Sequence, residues 1–150
     1  MRQFADLAEF VAAKGEHLGY SDWHEVTQEQ VNQFADATGD HQWIHVDVER
    51  AKAGPFGGTI AHGYLTLSLI PMLGAGVYRV GGLKMGINYG TNKVRFPNPV
   101  RVGSRVRAGA ELVEITEVAQ GTQAVLKYTV EIENEPKPAC VAETVVLLAA

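Results

Sequence analysis

The chain has 150 residues, 46% of them hydrophobic, so we expect one domain over residues 1–150 that buries roughly 70% of its unfolded surface. The net charge is −4 and the lysines and arginines are scattered, which argues against a nucleic-acid partner and against a membrane anchor. A lone cysteine excludes an internal disulfide, and no apolar leader or apolar stretch of roughly 18 residues is present, so we expect a cytoplasmic protein.

Two amphipathic helices are predicted in the N-terminal part of the chain. Apolar residues recur at helical spacing over Phe4–Val11 and stop before Gly15, which predicts a helix with a glycine cap. The sequence Thr27-Gln28-Glu29-Gln30 is typical of a capping box that opens a second helix. That helix leads directly into Gly39-Asp40.

Asp40 and His45 are the first residues that could carry chemistry. A carboxylate and an imidazole can polarise one water at neutral pH, because the carboxylate accepts a hydrogen bond while the imidazole takes or gives a proton. On a regular helix these two positions would diverge by about 140°, so they converge only if the backbone between them is irregular. The spacing alone also fits a turn residue at Asp40 and a structural histidine at His45.

A loop and a long apolar segment follow. Val48–Ala53 predicts one or two helical turns, and Gly54–Gly58 predicts a loop because three glycines and a proline defeat regular structure. Thr59–Ala75 is apolar on nearly all sides and is long enough for a helix, which predicts a buried helix. On these residues alone, His62-Gly63 could be no more than the start of that helix.

Four strands are predicted in the C-terminal part. They carry partial alternation and β-branched residues, and they cover Leu83–Phe96, Ser104–Val118, Thr122–Ile132 and Cys140–Leu148. Because short turns join consecutive strands, we expect an antiparallel sheet. The simplest way to bury the apolar helix is to curve this sheet around it, which gives an α+β fold.

Three features together resemble the MaoC-like dehydratases, also called hydratase 2 or (R)-specific enoyl-CoA hydratases. They are Phe34–Asp40 with Ile44-His45, then Ile60-Ala61-His62-Gly63, and then the strand Asn88–Val100. The resemblance implies a single hot-dog fold, in which an antiparallel sheet wraps around a long central helix. It also implies a lyase of fatty acid metabolism that adds water reversibly to a trans-2-enoyl-CoA, giving an (R)-3-hydroxyacyl-CoA. The chain departs from the family at Gln42-Trp43, where most members have Asn-Pro.

The resemblance also implies the roles of the site residues. The catalytic pair falls on Asp40 and His45, and the glycine whose backbone N–H binds the thioester oxygen falls on Gly63. A glycine suits this role because it allows a ligand to approach the backbone closely, and the start of a helix adds the positive end of the dipole. Its neighbours Ile60-Ala61-His62 belong to the same substrate-binding segment.

Further candidates lie on the first predicted strand. Four of its residues would line the acyl tunnel, although solvent-facing residues of an edge strand fit the same pattern. These four are Gly86, Ile87, Asn88 and Tyr89. Lys93 and Arg95 are candidates for contacts with CoA phosphates, although each is individually typical of a solvated surface charge.

The histidines near Asp40 could suggest a metal site formed with His41, His45 and His62. Neither a zinc signature nor a carboxylate cluster is present, and the resembling family needs no metal. We therefore expect no metal and no cofactor.

The expected partners are the substrate and a second copy of the chain. The substrate would be an acyl-CoA or acyl-carrier-protein thioester. A single hot-dog sheet leaves one edge open, so we expect a homodimer joined edge to edge. Two other functions stay open, an acyl-CoA thioesterase and a non-catalytic subunit that binds acyl thioesters, and turnover of a short enoyl-CoA separates them from a hydratase.

Overall fold

The computed structural model describes all residues from 1 to 150. The strands are β1 (Arg2–Phe4), β2 (His17–Tyr20), β3 (His24–Glu25), β4 (Tyr78–Val80), β5 (Met85–Arg95), β6 (Arg105–Val118), β7 (Gly121–Ile132) and β8 (Cys140–Ala149). The helices are α1 (Leu7–Ala12), α2 (Gln28–Thr38), α3 (Trp43–Val46), α4 (Val48–Lys52), α5 (Gly63–Ser68) and α6 (Ile70–Ala75). The four strands predicted in the C-terminal part are thus confirmed as β5 to β8.

The main sheet has six strands, in the order β2–β6–β7–β8–β5, with β3 also pairing with β6. Every pairing in it is antiparallel, as predicted. β5 pairs with β8 and not with β6, the next strand in sequence. The connection from β5 to β6 contains Pro97 and Pro99, which cannot donate to a sheet ladder. β5 is the last strand in the order and pairs only with β8, so it forms an edge of the sheet.

The apolar segment that was predicted as one buried helix over Thr59–Ala75 differs from this prediction in two ways. Its first residues are extended up to His62, where Ile60 forms an isolated bridge with Arg101, and the helical part is divided into α5 and α6 at Leu69. Pro71 explains the interruption, because it has no N–H to bond the carbonyl one turn earlier.

The same helical segment is not buried on all sides. Tyr64 is 71% exposed and Met72 is 49% exposed. One face of α5 and α6 contributes Leu65 and Leu73 to the core shared with the sheet, whereas Tyr64 and Met72 face outward in a single copy of the chain.

The predicted first helix is shorter than its apolar pattern. Phe4 lies in β1, which pairs in parallel with β4, and α1 begins only after Asp6, whose side chain accepts a hydrogen bond from the Glu9 amide at 2.9 Å. The apolar spacing extended across this boundary because Phe4 and Phe10 pack on each other, with ring centroids 5.3 Å apart.

α2 delivers the chain to the region of Asp40. The Thr27 hydroxyl accepts a hydrogen bond from the Gln30 amide at 3.1 Å, which is the predicted cap. The Gln30 side chain bonds the His24 ring at 3.0 Å, so the reciprocal half of a capping box is absent. Gly39 ends the helix with a φ of 81°, which favours glycine.

Helices and sheet share one hydrophobic core. Its 26 buried residues form a single cluster that includes Val31 of α2, Leu65 of α5, Leu73 of α6 and Leu126 of β7. No helix of the structure is both long enough and apolar enough to cross a membrane.

Candidate active site

Asp40, His45 and His62 come together beside the start of α5. Each offers an oxygen or nitrogen atom that could bind a metal, and these atoms lie within 4.8 Å of one another. Asp40 lies in the loop after α2, and His45 lies in the single turn of α3. The irregular backbone that convergence requires is thus present between them. The same spacing suits either a metal ion or one water molecule held between the carboxylate and the imidazole.

Hydrogen bonds fix the orientation of His45. Its Nδ1 lies 2.7 Å from the Ile60 carbonyl, which can only accept, so Nδ1 carries a proton and donates. The His45 carbonyl accepts a hydrogen bond from the Gln28 side chain at 2.8 Å, and the Thr59 hydroxyl donates to that side chain at 2.6 Å. The lone pair of the neutral ring is therefore on Nε2.

The surroundings of His45 favour its neutral form. Burial lowers the pKa of the imidazole below its ordinary value of 6.5, and His62 acts in the same direction. The hydrogen bond to Ile60 and the charge of Asp40 oppose this shift of the pKa. At neutral pH the ring therefore has an unprotonated Nε2, as a general base requires.

The Asp40 carboxylate is held loosely by comparison. It is exposed, and its hydrogen bond from the Gln42 amide is long, at 3.4 Å. Most of its hydrogen-bonding capacity thus remains free for a water or a substrate.

Gly63 is the first residue of α5, so its N–H has no carbonyl one turn earlier in the helix to bond. A Cβ on this residue would lie 3.0 Å from the Phe96 ring. A larger residue here would therefore displace the Phe96 ring or the start of α5, and glycine also leaves the backbone open to a ligand. Ala61 and Ile60 precede it as buried, extended residues.

A cavity of about 510 Å³ lies between the two helical segments α5 and α6 and the sheet. It begins at Leu67, one turn of helix after Gly63, and it does not include Asp40 or His45. Its wall is formed by Leu67, Ser68, Ile70, Pro71, Gly74, Ala75, Tyr78, Arg79, Val80, Leu83, Gly86, Asn88, Tyr89, Gly90, Thr91, Tyr128, Thr144, Val146 and Leu148. Both its size and its largely apolar wall are typical of small-molecule sites.

The residues predicted on β5 are distributed along this cavity and beyond it. Gly86 and Asn88 line the cavity and Ile87 between them does not, as the alternation of a strand requires. Tyr89 also lines the cavity, because β5 shifts register against β8 between Asn88 and Gly90. Lys93 and Arg95 lie further along β5, are exposed and form no ion pair. Arg95 directly precedes Phe96, so this end of β5 lies beside Gly63.

Three residues of the site were not anticipated from the sequence. Gln28 supports the backbone of His45, and Tyr78 and Tyr128 place phenol groups in the cavity wall. Burial raises the pKa of both tyrosines. Tyr128 could have been found from its position on β7, since it alternates in phase with the buried Leu126 and Val130.

His41 and Trp43 turn away from the cluster. His41 bonds the Asp36 carboxylate at 2.9 Å, which raises the pKa of its imidazole, and it is not one of the three clustered residues. The guanidinium carbon of Arg50 lies 4.2 Å from the centroid of the Trp43 ring, and this ring also lies against Gly54. The departure at Gln42-Trp43 therefore concerns the support of the loop and not the cavity.

Comparisons with known proteins identify relatives of this chain. Residues 9–134 match the family described as MaoC like domain. The 3-hydroxyacyl-thioester dehydratase Z of Mycobacterium tuberculosis (strain ATCC 25618 / H37Rv) is 61% identical over 147 residues, which are 97% of each chain. Nodulation protein N of Rhizobium leguminosarum bv. viciae is 46% identical over 146 residues, 95% of this chain and 90% of the relative.

A solved structure agrees with the fold. The (R)-hydratase from A. caviae involved in PHA biosynthesis superposes with a TM-score of 0.73 at 26% identity, over 88% of this chain and 96% of that chain. The predicted α+β arrangement, a hot-dog sheet around a central helical segment, is confirmed.

Proposed function

We propose that this chain, which belongs to the MaoC-like dehydratase family of hydro-lyases, adds water reversibly to a trans-2-enoyl thioester and forms the (R)-3-hydroxyacyl thioester. The observation that carries the proposal is the approach of the Asp40 carboxylate to the His45 imidazole, with the Gly63 amide at the adjacent start of α5. The relative that is 61% identical is named for the dehydration of 3-hydroxyacyl thioesters, which supports the same substrate class.

In the hydration direction, Asp40 and His45 hold one water between them. His45 Nε2 accepts a proton from this water while the water oxygen forms a bond to C3 of the enoyl group. The electrons of the C2–C3 double bond then move toward C2 and the thioester carbonyl, which becomes an enolate. The protonated His45 returns the proton to C2, and dehydration follows the same steps in reverse. General acid–base catalysis of this kind contributes about 10²–10⁴ to the rate.

Gly63 stabilises the charge that develops in this reaction. Its free N–H donates to the thioester oxygen and binds the enolate more strongly than the neutral carbonyl. The loss of one such donor typically costs about 10²–10³ in rate. Ile60 contributes through its carbonyl, which orients His45, and Ala61 through the buried backbone that leads to Gly63.

The cavity beyond Leu67 would hold the acyl chain. It extends along β5 past Asn88 and Gly86, away from Gly63. At the other end of β5, the exposed Lys93 and Arg95 form no ion pair and would contact the phosphates of CoA. A thioester carbonyl at Gly63 would thus lie between the acyl chain and the carrier.

The exposed edge at β5 supports the expected homodimer. Met85, Ile87 and Tyr89 are exposed on this strand, and an unpaired edge of this kind invites pairing with another chain. Light scattering at micromolar concentration should give twice the mass of one chain. A monomeric mass would contradict the dimer without affecting the proposed reaction.

Hydration of crotonyl-CoA tests the proposed reaction, because the absorbance of the conjugated enoyl thioester disappears as water adds. We expect Asp40→Asn and His45→Gln each to lower kcat by about 10²–10⁴. Asp36→Asn and His41→Gln are matched controls, since this pair lies nearby and bonds to itself, and both variants should stay close to wild-type activity.

The product distinguishes the proposal from its alternatives. An (S)-specific 3-hydroxyacyl-CoA dehydrogenase should leave the product unoxidised if the product is the (R) isomer. Free thiol without hydration would indicate a thioesterase, and binding of crotonyl-CoA by calorimetry without turnover would indicate a binding subunit. Full activity in both Asp40→Asn and His45→Gln would refute the mechanism.

A further inference from the structure

His62 lies at the centre of the site but belongs neither to the proposed catalytic pair nor to the cavity wall. It is only 2% exposed. Its carbonyl accepts hydrogen bonds from the amides of Leu65 and Thr66 at 3.1 and 3.2 Å, so its backbone begins α5. The residue thus joins the helix that carries Gly63 to the region of Asp40 and His45.

The His62 side chain contacts both members of the pair. The His45 ring stacks on it, with centroids 3.8 Å apart and an angle of 22° between the rings. Its Nε2 lies 2.9 Å from the Asp40 carbonyl and donates a hydrogen bond to it. Phe34 of α2 packs against the same ring, at 4.9 Å between centroids. One imidazole therefore holds the ring of His45 and the backbone of Asp40.

The second ring nitrogen of His62, Nδ1, is a feature that packing alone would not require. Nδ1 is enclosed by protein and has no hydrogen-bond partner, the only buried side-chain nitrogen or oxygen without one. An enclosed acceptor without a partner is unfavourable, and a phenylalanine would fill a similar volume without it. What the phenylalanine would lack is the hydrogen bond from Nε2 to Asp40.

We propose that His62 is a positioning residue, which sets the distance and orientation of Asp40 and His45 relative to each other and to the Gly63 N–H. This inference rests on the function proposed above. His62 does not itself contact the substrate, because its free nitrogen is enclosed and its ring is covered by His45 and Phe34.

Two substitutions separate the parts of this role. His62→Phe keeps a ring for stacking but removes the donor to Asp40, and His62→Gln keeps an amide donor of similar reach but removes the ring. We expect His62→Phe to lower kcat for crotonyl-CoA roughly 10- to 100-fold, because small displacements of catalytic groups have effects of this size, with KM little changed. His62→Gln should recover part of this loss.

The pH profile supplies a measurement that a merely structural role would not change. The charged or titratable groups that face His45 are Asp40 and His62, and the Ile60 carbonyl accepts a hydrogen bond from its Nδ1. Since His62 lowers the pKa of His45, its replacement by glutamine should move the acid limb of kcat/KM to higher pH. Phe34 packs on the His62 ring but carries no charge, so a substitution of Phe34 should not cause this shift of the acid limb.

Val130→Ala is the control for lost stability. Val130 is fully buried in β7 and contributes to the core and not to the site. Its variant should lower the melting temperature but leave kcat and the pH profile unchanged, whereas the His62 variants should change both while folded at the assay temperature. If the wild-type chain hydrates crotonyl-CoA and the folded His62 variants match it in kcat and pH profile, the positioning role is refuted. If the wild-type chain shows no hydration, the proposed function itself fails.

Discussion

Substituting Gly63 by alanine tests whether the position of one backbone N–H limits the reaction. The added Cβ would lie 3.0 to 3.1 Å from three carbons of the Phe96 ring. Ordinary carbon–carbon contacts are roughly 3.5–4.0 Å. The ring or the start of α5 must therefore move by several tenths of an ångström.

The free energy of unfolding should change little in this variant. Alanine favours a helix over glycine by up to about 1 kcal/mol, and this gain opposes the cost of moving the ring. Phe96 is 41% exposed and packs edge-on to the exposed Tyr64, so the ring has room to shift. The start of α5 should shift with it in part, which moves the Gly63 amide away from the thioester oxygen.

The expected result is a lower kcat with nearly unchanged stability. Complete loss of such a donor costs about 10²–10³ in rate, so partial displacement should lower kcat roughly tenfold. The assay is crotonyl-CoA hydration, together with urea denaturation of the same sample. The double variant Gly63→Ala/Phe96→Ala removes the clash and should regain most of the lost kcat. A double variant as slow as Gly63→Ala alone would refute the steric argument, and full activity in Gly63→Ala would refute the importance of the amide's position.

Two further predictions follow from burial. Burial lowers the pKa of His45 below 6.5, so the folded state binds this proton more weakly than the unfolded chain does. The stability due to neutral His45 is therefore present above pH 6.5 and is lost as the pH falls below it. Urea midpoints should fall less with acidification in His45→Gln than in the wild type, and equal slopes of midpoint against pH would contradict this. Gly74→Ala should lower the urea midpoint despite the better helix propensity of alanine, because the new Cβ would lie 2.6 Å from the Tyr128 hydroxyl. Tyr128→Phe in the same chain should restore part of the midpoint, because two ring carbons remain 3.2 and 3.3 Å from the new Cβ, and no recovery would show that the hydroxyl is not the main obstacle.

The sequence predicted the elements that depend on local chemistry. Alternating apolar residues and the proline- and glycine-containing turns placed β5 to β8, and the cap at Thr27 and the stop at Gly39 placed α2. These features are local because each depends on residues within a few positions of one another. Two local features were missed. One is the divided helical segment, although Pro71 was visible in the sequence, and the other is the start of α1, because Phe4 lies in β1.

Features that depend on tertiary contacts could not be predicted in this way. Nothing in the sequence indicates that the Ile60 carbonyl would accept a hydrogen bond from His45 Nδ1, or that the His62 ring would stack on His45 and donate a hydrogen bond to the Asp40 carbonyl. The pairing of β5 with β8 is likewise set by long-range packing. Asp40 and His45 could be nominated from sequence, but the environment that determines the protonation of His45 could not.

The position of β5 connects these tertiary features to substrate choice. Because β5 pairs with β8, its first half lines the cavity and the Phe96 ring that follows its last residue packs against Gly63. A thioester held at Gly63 would therefore extend its acyl chain between β5 and α6. Trp43 lies elsewhere, against Arg50 and Gly54. Under the proposed function, the residues that would limit acyl-chain length are those of β5 and α6, whereas Trp43 does not line the cavity.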